Sequence, residues 1–428
     1  LSNLSDVLNY LDDKHSEGHL LTSPANVCQE KPQKLLARLS NGQLRFAYHQ
    51  LSTVTGLLTN FINNAIMRLM VAQGHTPLLF FPNGVVYLTE QKNNNNVIVE
   101  QVLASVKDTI QNLCKTQLTN TLTGFIRARA GKGLQFPDYY YQLFTIQELF
   151  QLSISAVKRN ILEKKQAIPV CSERLNTMLA MQKEQGKWNI PSQIDLRFEP
   201  SLAVDSLAEY CIRLEDTVKE KLGEEIDVDA LILEQLGLSN YLEDLRAIPS
   251  KGGPKYRWYF LAGKYLERRG LDDEDVSNIM ENIADFMAER LKTPIAEFEA
   301  QKEVFPVLHT YVQAIVDING MALKNQHDFI KELANYTAAK SAGRKRKLTC
   351  SLCSTPYKSE HQEETAMPFQ PQVYSNKSPL NAPITTRGVC EVCTLELMLR
   401  QIFMQSRKQL IGAKFENQKV KYLYIYPS

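Results

Sequence analysis

Two closely spaced cysteine pairs, Cys350-Ser-Leu-Cys353 and Cys390-Glu-Val-Cys393, constrain this chain more than any other feature. A two-residue gap lets both sulfurs of a pair reach one ion while backbone N–H groups point at them, and thiolate is a ligand that zinc prefers. In a chain without secretory features the pattern predicts a tetrahedral site for a structural zinc ion on Cys350, Cys353, Cys390 and Cys393. Two disulfides, an iron-sulfur or rubredoxin-like iron site, and chance pairing are the alternatives. The other cysteines, Cys28, Cys114, Cys171 and Cys211, lie scattered in apolar surroundings and read as core residues. Four thiolates leave no coordination position for water, so the metal is expected to hold the loop between the pairs and to do no chemistry.

At 428 residues and 44% hydrophobic content the chain is long enough for two or more cores. Its net charge of +2 is close to neutral, so a nucleic-acid partner has to meet positive charge gathered locally. No apolar run approaches the roughly eighteen residues that span a bilayer, which predicts no membrane partner. The opening Leu1-Ser-Asn-Leu4 is neither a signal peptide nor an initiator methionine. These features read as a cytoplasmic piece of a longer chain. Val420 to Tyr426 has the β-propensity of a buried strand, with its sheet partners expected beyond Ser428.

Apolar periodicity predicts an α+β fold that is predominantly α-helical. Residues 1–75 read as a helical segment, with Leu57, Leu58, Phe61, Ile62, Ala65, Ile66, Leu69 and Met70 on one stripe and Gly74 closing it. Residues 76–119 read as a β-hairpin plus a helix. Leu78 to Phe81 and Val85 to Leu88 flank Pro82-Asn83-Gly84, where Asn-Gly is expected to supply the positive φ of a tight turn. Val97, Val102, Leu103, Val106, Ile110 and Leu113 follow at helical spacing. Residues 120–343 read as a bundle of amphipathic helices, one of them opening at Asp272 as N-cap and burying Val276, Ile279, Met280, Ile283, Met287 and Leu291. Residues 344–400, introduced by Arg344-Lys-Arg-Lys347, form the zinc module. Residues 401–428 give a helix and the first strand of a second β unit.

Binding chemistry is best represented by Lys251-Gly-Gly-Pro-Lys255-Tyr-Arg257-Trp258-Tyr259-Phe260 and the following Lys264, Arg268 and Arg269. Cations meet phosphates and aromatic rings stack on unpaired bases, so the segment is a nucleic-acid candidate. The alternative is that Trp258, Tyr259 and Phe260 are helix core and Lys255 and Arg257 are solvated. Arg127, Arg129 and Lys132, beside Gly131 and Gly133, form a second candidate patch. No self-sufficient catalytic constellation is recognisable. Gly270-Leu-Asp-Asp273 reads as a helix cap, Gly131-Lys-Gly133 lacks the spacing of a phosphate-binding loop, and His15, His19 and the His327-Asp328 pair read as surface features.

Several segments in order resemble one family. These are Tyr48-His-Gln-Leu51, Thr55-Gly-Leu-Leu-Thr-Asn60, Pro77-Leu-Leu-Phe-Phe-Pro-Asn-Gly-Val-Val-Tyr87, Phe125-Ile-Arg-Ala-Arg129 with Gly133-Leu-Gln-Phe136, and Cys390-Glu-Val-Cys393 running into Ser406-Arg-Lys-Gln-Leu410. Together they resemble the Cas ten-type large subunit of type I-D CRISPR effector complexes, which carries an N-terminal HD nuclease, palm-like domains interrupted by a zinc module, and a helical C-terminal region. The resemblance implies that residues 1–75 are the tail of the HD domain and that residues 76–119 are palm-like. It also implies the partners: the crRNA-containing complex with its backbone, crRNA 5′-end and small subunits, target double-stranded DNA, and a helicase. A role in target DNA and protospacer-adjacent motif recognition, complex assembly and antiviral defence follows from the resemblance alone. One alternative is an HD-type metal-dependent DNA nuclease whose catalytic residues lie outside this chain. The other is a zinc-containing nucleic-acid-processing scaffold unrelated to CRISPR. The Gly-Gly-Asp-Asp turn of cyclase-active relatives does not occur.

Overall fold

The chain builds part of a first unit up to residue 121, forms a helical unit over residues 122–303, and rejoins the first unit at residue 304. The computed structural model describes residues 23–93, 97, 99–122, 126–127, 134–136, 138–163, 194–195, 197–248, 255–270, 275–322, 334, 337, 350, 352–353, 359–361 and 388–404. The first unit begins with α1 (Pro24–Val27), α2 (Glu30–Leu39), β1 (Leu44–Leu51), α3 (Leu57–Ala72), β2 (Thr76–Phe81), β3 (Gly84–Glu90) and α4 (Val99–Thr121). The second contains β4 (Ile126–Arg127), β5 (Leu134–Gln135), α5 (Asp138–Leu143), α6 (Ile146–Val157), α7 (Leu202–Lys221), α8 (Val228–Leu236), α9 (Leu242–Ala247), α10 (Tyr256–Arg269), α11 (Asp275–Arg290) and α12 (Lys292–Gln301). The return adds α13 (Val307–Ile315), β6 (Val316–Ile318), β7 (Met321–Ala322), β8 (Ser359–His361), β9 (Gly388–Cys390) and α14 (Glu391–Met404) to the first unit. The fold is α+β and predominantly helical.

β1 is the middle strand of a five-stranded antiparallel sheet ordered β2-β3-β1-β6-β7. Residues 1–75 are therefore not a helical segment throughout, because 44–51 supply this strand. Phe46, Ala47, Tyr48 and His49 are buried in succession, so both faces of β1 are covered and no alternation marks it in the sequence. Phe46, Tyr48 and Val86 pack with Val27 and Leu36 from α1 and α2 on one face. α3 and α4 pair with one another, and α3 covers the other face. The stripe expected on α3 is present in Leu58, Ile62, Ala65, Ile66 and Met70, and Gly74, at φ +86°, ends the helix.

The hairpin expected at residues 78–88 is there, but its turn differs from the expectation. Phe81 pairs with Gly84, leaving Pro82 and Asn83 as the loop, and neither Asn83 nor Gly84 has a positive φ. A proline ring holds φ negative, which excludes the mirror-image turn that Asn-Gly favours. Gly84 serves close approach instead: a Cβ there would lie 2.2 Å from the carbonyl oxygen of His49 on β1. The mirror-image Asn-Gly hairpin occurs elsewhere. Asn319 and Gly320, at φ +53° and +84°, join β6 to β7. Asn319 Oδ1 accepts a 2.7 Å hydrogen bond from the Tyr48 N–H, which fixes this hairpin to β1.

His49 is fully buried between Tyr87 Oη, 2.7 Å from Nδ1, and Asn63 Oδ1, 3.1 Å from Nε2. Burial disfavours the imidazolium and brings its pKa from 6.5 down to about 4, against the smaller opposing pull of the Asn63 hydrogen bond. The unfolded chain then takes up a proton at a pH where the folded one does not. Stability of the sheet unit is expected to be complete above pH 6.5 and to fall by about 3 kcal/mol as the pH drops to about 4. Amide protection factors in β1 and β3 measured from pH 7 to 4.5 check this. The slope should flatten in a His49→Gln variant, and an equal slope in both proteins would contradict the assignment.

In the second unit α7 is buried on nearly every side between Ala203 and Val218, with α10 along it and α6 and α11 beside it. α6 starts with a reciprocal cap in which Thr145 Oγ1 accepts from the Glu148 N–H and the Glu148 carboxylate accepts from the Thr145 N–H. The face expected on α11 is buried at Val276, Ile279, Met280, Ile283, Met287 and Leu291. Its expected cap, Asp272, lies outside the described residues, as does the Val420–Tyr426 strand. The helical region does not run to residue 343: the unit ends at Glu303, and α13, β6 and β7 belong to the sheet unit.

Candidate metal centre

Cys390 is the last residue of β9, where Ser359 of β8 faces it, and α14 starts at the next residue. This strand-to-helix junction places Cys390 and Cys393 on one short turn, and the Cys393 N–H points at Cys390 Sγ, 3.5 Å away. Cys353 Sγ approaches Cys390 Sγ to 3.5 Å from the other pair, and the four sulfurs lie within 4.8 Å of one another. A tetrahedron with metal–sulfur bonds of about 2.3 Å has sulfur–sulfur edges of about 3.8 Å, so the arrangement fits one ion. The separation is far beyond the roughly 2.05 Å of a disulfide, and all four cysteines are free. Cys350, Cys390 and Cys393 are buried, while Cys353 faces solvent.

The electrostatics of the cluster ask for a cation. The Cys350 thiol is held far below its usual range because Cys353, Cys390 and Cys393 can all donate to its thiolate. Cys390 and Cys393 are held far above theirs, chiefly because each thiol donates its proton to Cys350 and Cys353. Four sulfurs so close ionise together only around a metal ion. Among the described residues this is the one group of three or more His, Cys, Asp or Glu side chains able to hold a metal. The isolated cysteines behave as core: burial pushes the Cys28 and Cys114 thiols up to about 12 and Cys211 higher still. Cys171, His15, His19, His327, Asp328 and the basic run Arg344–Lys347 lie outside the described residues.

α14 carries the cluster into the sheet unit. Val392, Leu395, Met398, Leu399 and Ile402 form its buried stripe, and it packs on α3, α4 and α13. On the same helix the Glu396 carboxylate accepts from the N–H groups of Leu57 at 3.1 Å and Leu58 at 2.7 Å, capping α3. Arg400 donates to Glu396 Oε1 at 2.6 Å. Glu396 had no sequence signal, because the N–H groups that it satisfies are more than 300 positions away.

The candidate nucleic-acid residues are dispersed differently from the expectation. Trp258, Tyr259 and Phe260 are buried in α10, so no ring of this segment is open to stack on a base. Arg257 is buried too, reaching Glu215 at 2.5 Å and Asp229 at 2.8 Å. Lys255 pairs with Glu215 and Asp216, and Lys264 with Asp195 and Glu267. Burial alone would raise the Glu215 carboxyl, but Lys255 and Arg257 bring it down to about 2. Lys255, Arg257 and Lys264 thus form a folded polar seam in which the cations are turned onto the chain's own carboxylates. Arg268 and Arg269 are exposed at the last turn of α10, over the rings of Tyr241 and Tyr265. The backbone of Arg127 is in β4, while Lys251, Arg129 and Lys132 lie outside the described residues.

A cleft of about 530 Å³ in the second unit is lined by Asp138, Tyr141, Lys221, Phe298 and Lys302. Its cations are engaged, Lys221 over the Tyr141 ring at 4.3 Å and Lys302 on the Phe144 carbonyl at 2.7 Å, and no nucleophile–base pair faces it. Among the described residues no helix is long and apolar enough to cross a membrane. No protein-family model matches the chain, and no curated protein matches it.

Proposed function

We propose that this chain is the scaffold portion of a crRNA-guided type I-D CRISPR surveillance complex, with a structural zinc ion on Cys350, Cys353, Cys390 and Cys393. The observation that carries the reading is a four-sulfur cluster whose own helix packs on α3, α4 and α13 of the sheet-containing unit, in a chain whose motifs follow the order of the Cas ten-type large subunit. With four protein ligands the ion supplies no reactive position, so it shapes the module around it. The expected surroundings are cytoplasmic: backbone, crRNA 5′-end and small subunits, target double-stranded DNA, and a helicase.

Affinity purification of the intact protein from its source cells tests this. Short RNAs with a common repeat-derived end should accompany it. Recovery with transcription or replication machinery and no such RNA would favour the scaffold unrelated to CRISPR. Among the described residues, Arg268 and Arg269 are the cations of the basic-aromatic segment that remain exposed. If they meet phosphates, Arg268→Glu with Arg269→Glu should weaken target binding regardless of sequence. The log–log salt slope should fall by about 0.9 for each lost duplex contact. Unchanged affinity and slope in an assembled complex would place the DNA path elsewhere.

A further inference from the structure

We propose that Glu396 is a latch that makes the order of the α3 N-terminus depend on occupancy of the cysteine cluster, an inference that rests on the metal reading above. Cys393 and Glu396 are three residues apart on α14, about 4.5 Å along a helix, so they move as one turn. The latch itself is closely built. Gly56 has φ +81°, and a Cβ on it would lie 2.5 Å from Glu396 Oε1 and 2.8 Å from an Arg400 guanidinium nitrogen. A side chain at position 56 would displace the carboxylate. Leu58 is fully buried, so its N–H has no water to replace Glu396. The carboxylate also sits at the positive end of the α3 dipole.

Without an ion the first turn of α14 loses its anchor at both Cys390 and Cys393 and is left with the packing of Val392 and Leu395 alone. The far half stays docked through Leu399 and Ile402, both fully buried, and through the Phe61–Phe403 ring pair at 5.2 Å. The loosening is therefore greatest at the end that carries Glu396, where two ligands are lost and no fully buried residue of the stripe takes their place. Metal status is passed in this way to the helix that follows β1, by one side chain and without melting the sheet.

The test is hydrogen exchange at the Leu57 and Leu58 amides of the full chain, read together with zinc content. Chelation that removes the metal should speed exchange at both amides by ten-fold or more, while Val86 in β3 and Val106 in α4 keep their protection. Glu396→Ala should do the same with the metal still bound, and chelation of that variant should add little. Gly56→Ala, which keeps every latch group but crowds the carboxylate, should also open the two amides with the metal retained. If chelation strips the metal and Leu57 and Leu58 exchange as before, the latch is wrong although the metal centre stands. If Glu396→Ala still responds to chelation as the parent does, coupling runs by another route. Loss of protection in β3 and α4 together with α3 would mean general unfolding and count against a latch. A chain that binds no zinc as purified overturns the metal reading first, and elemental analysis separates that failure from the others.

Discussion

Cys390→Ser is expected to strip the chain of its zinc and to unfold the module around it. Parent protein prepared without chelator should hold one zinc ion per cluster, and the variant close to none. The expected effect is large because binding free energies of about 10–16 kcal/mol for structural zinc couple directly to local folding. Cys390 is fully buried at the junction of β9 and α14, so the substitution removes a ligand from the middle of the module. New protease cuts should appear between residues 346 and 400. An unchanged protease pattern with unchanged zinc would remove Cys390 from the ligand set. Cys28→Ser and Cys114→Ser make suitable contrasts, since neither belongs to the cluster and neither should alter zinc content.

Arg257→Ala is expected to destabilise the helical unit by about 3–5 kcal/mol, because it leaves Glu215 and Asp229 buried without their shared cation. Glu215 also accepts a 2.7 Å hydrogen bond from Trp258 Nε1, so the loss reaches the largest side chain of the core. Burial already raises the Asp229 carboxyl, and Arg257 is the main force opposing it. Glu215 adds a pH signature. Its carboxyl lies at about 2 in the folded chain, so its contribution is complete above the ordinary carboxylate value of 4.5 and lost as the pH falls toward 2. In the variant the acid transition should begin at higher pH. Urea unfolding followed by tryptophan fluorescence measures both, and Arg268→Ala should stay within about 0.5 kcal/mol of the parent as an exposed control. A charge reversal of Lys255, Arg257 and Lys264 together would report this seam rather than a DNA contact.

What the sequence made legible follows from how local each cause is. The stripes of α3 and α11 were readable because a 3.6-residue period needs no knowledge of the partner surface. The cysteine cluster was readable for a similar reason: each pair carries its own spacing, and the chemistry of thiolates brings the pairs together. β1 was not readable, because four consecutive buried residues from Phe46 to Tyr48 and His49 follow neither the strand nor the helix period. The return of residues 316–322 to that strand is a pairing across more than 260 positions, and the Asn319-Gly320 turn was masked by the apolar run of α13 before it. The basic-aromatic segment was ambiguous in a different way. Lys255, Arg257 and Trp258 look like a binding surface until Glu215 and Asp229 are placed opposite them, and those carboxylates lie some 28 to 43 residues upstream.

X-ray absorption at the zinc edge of the purified chain measures the centre most directly. A single shell of four sulfur neighbours at about 2.3 Å, with no nitrogen or oxygen contribution, is the result that the four converging thiolates predict. A shell containing nitrogen or oxygen, fewer than four sulfurs, or a zinc-free protein whose four cysteines are oxidised in pairs would contradict it.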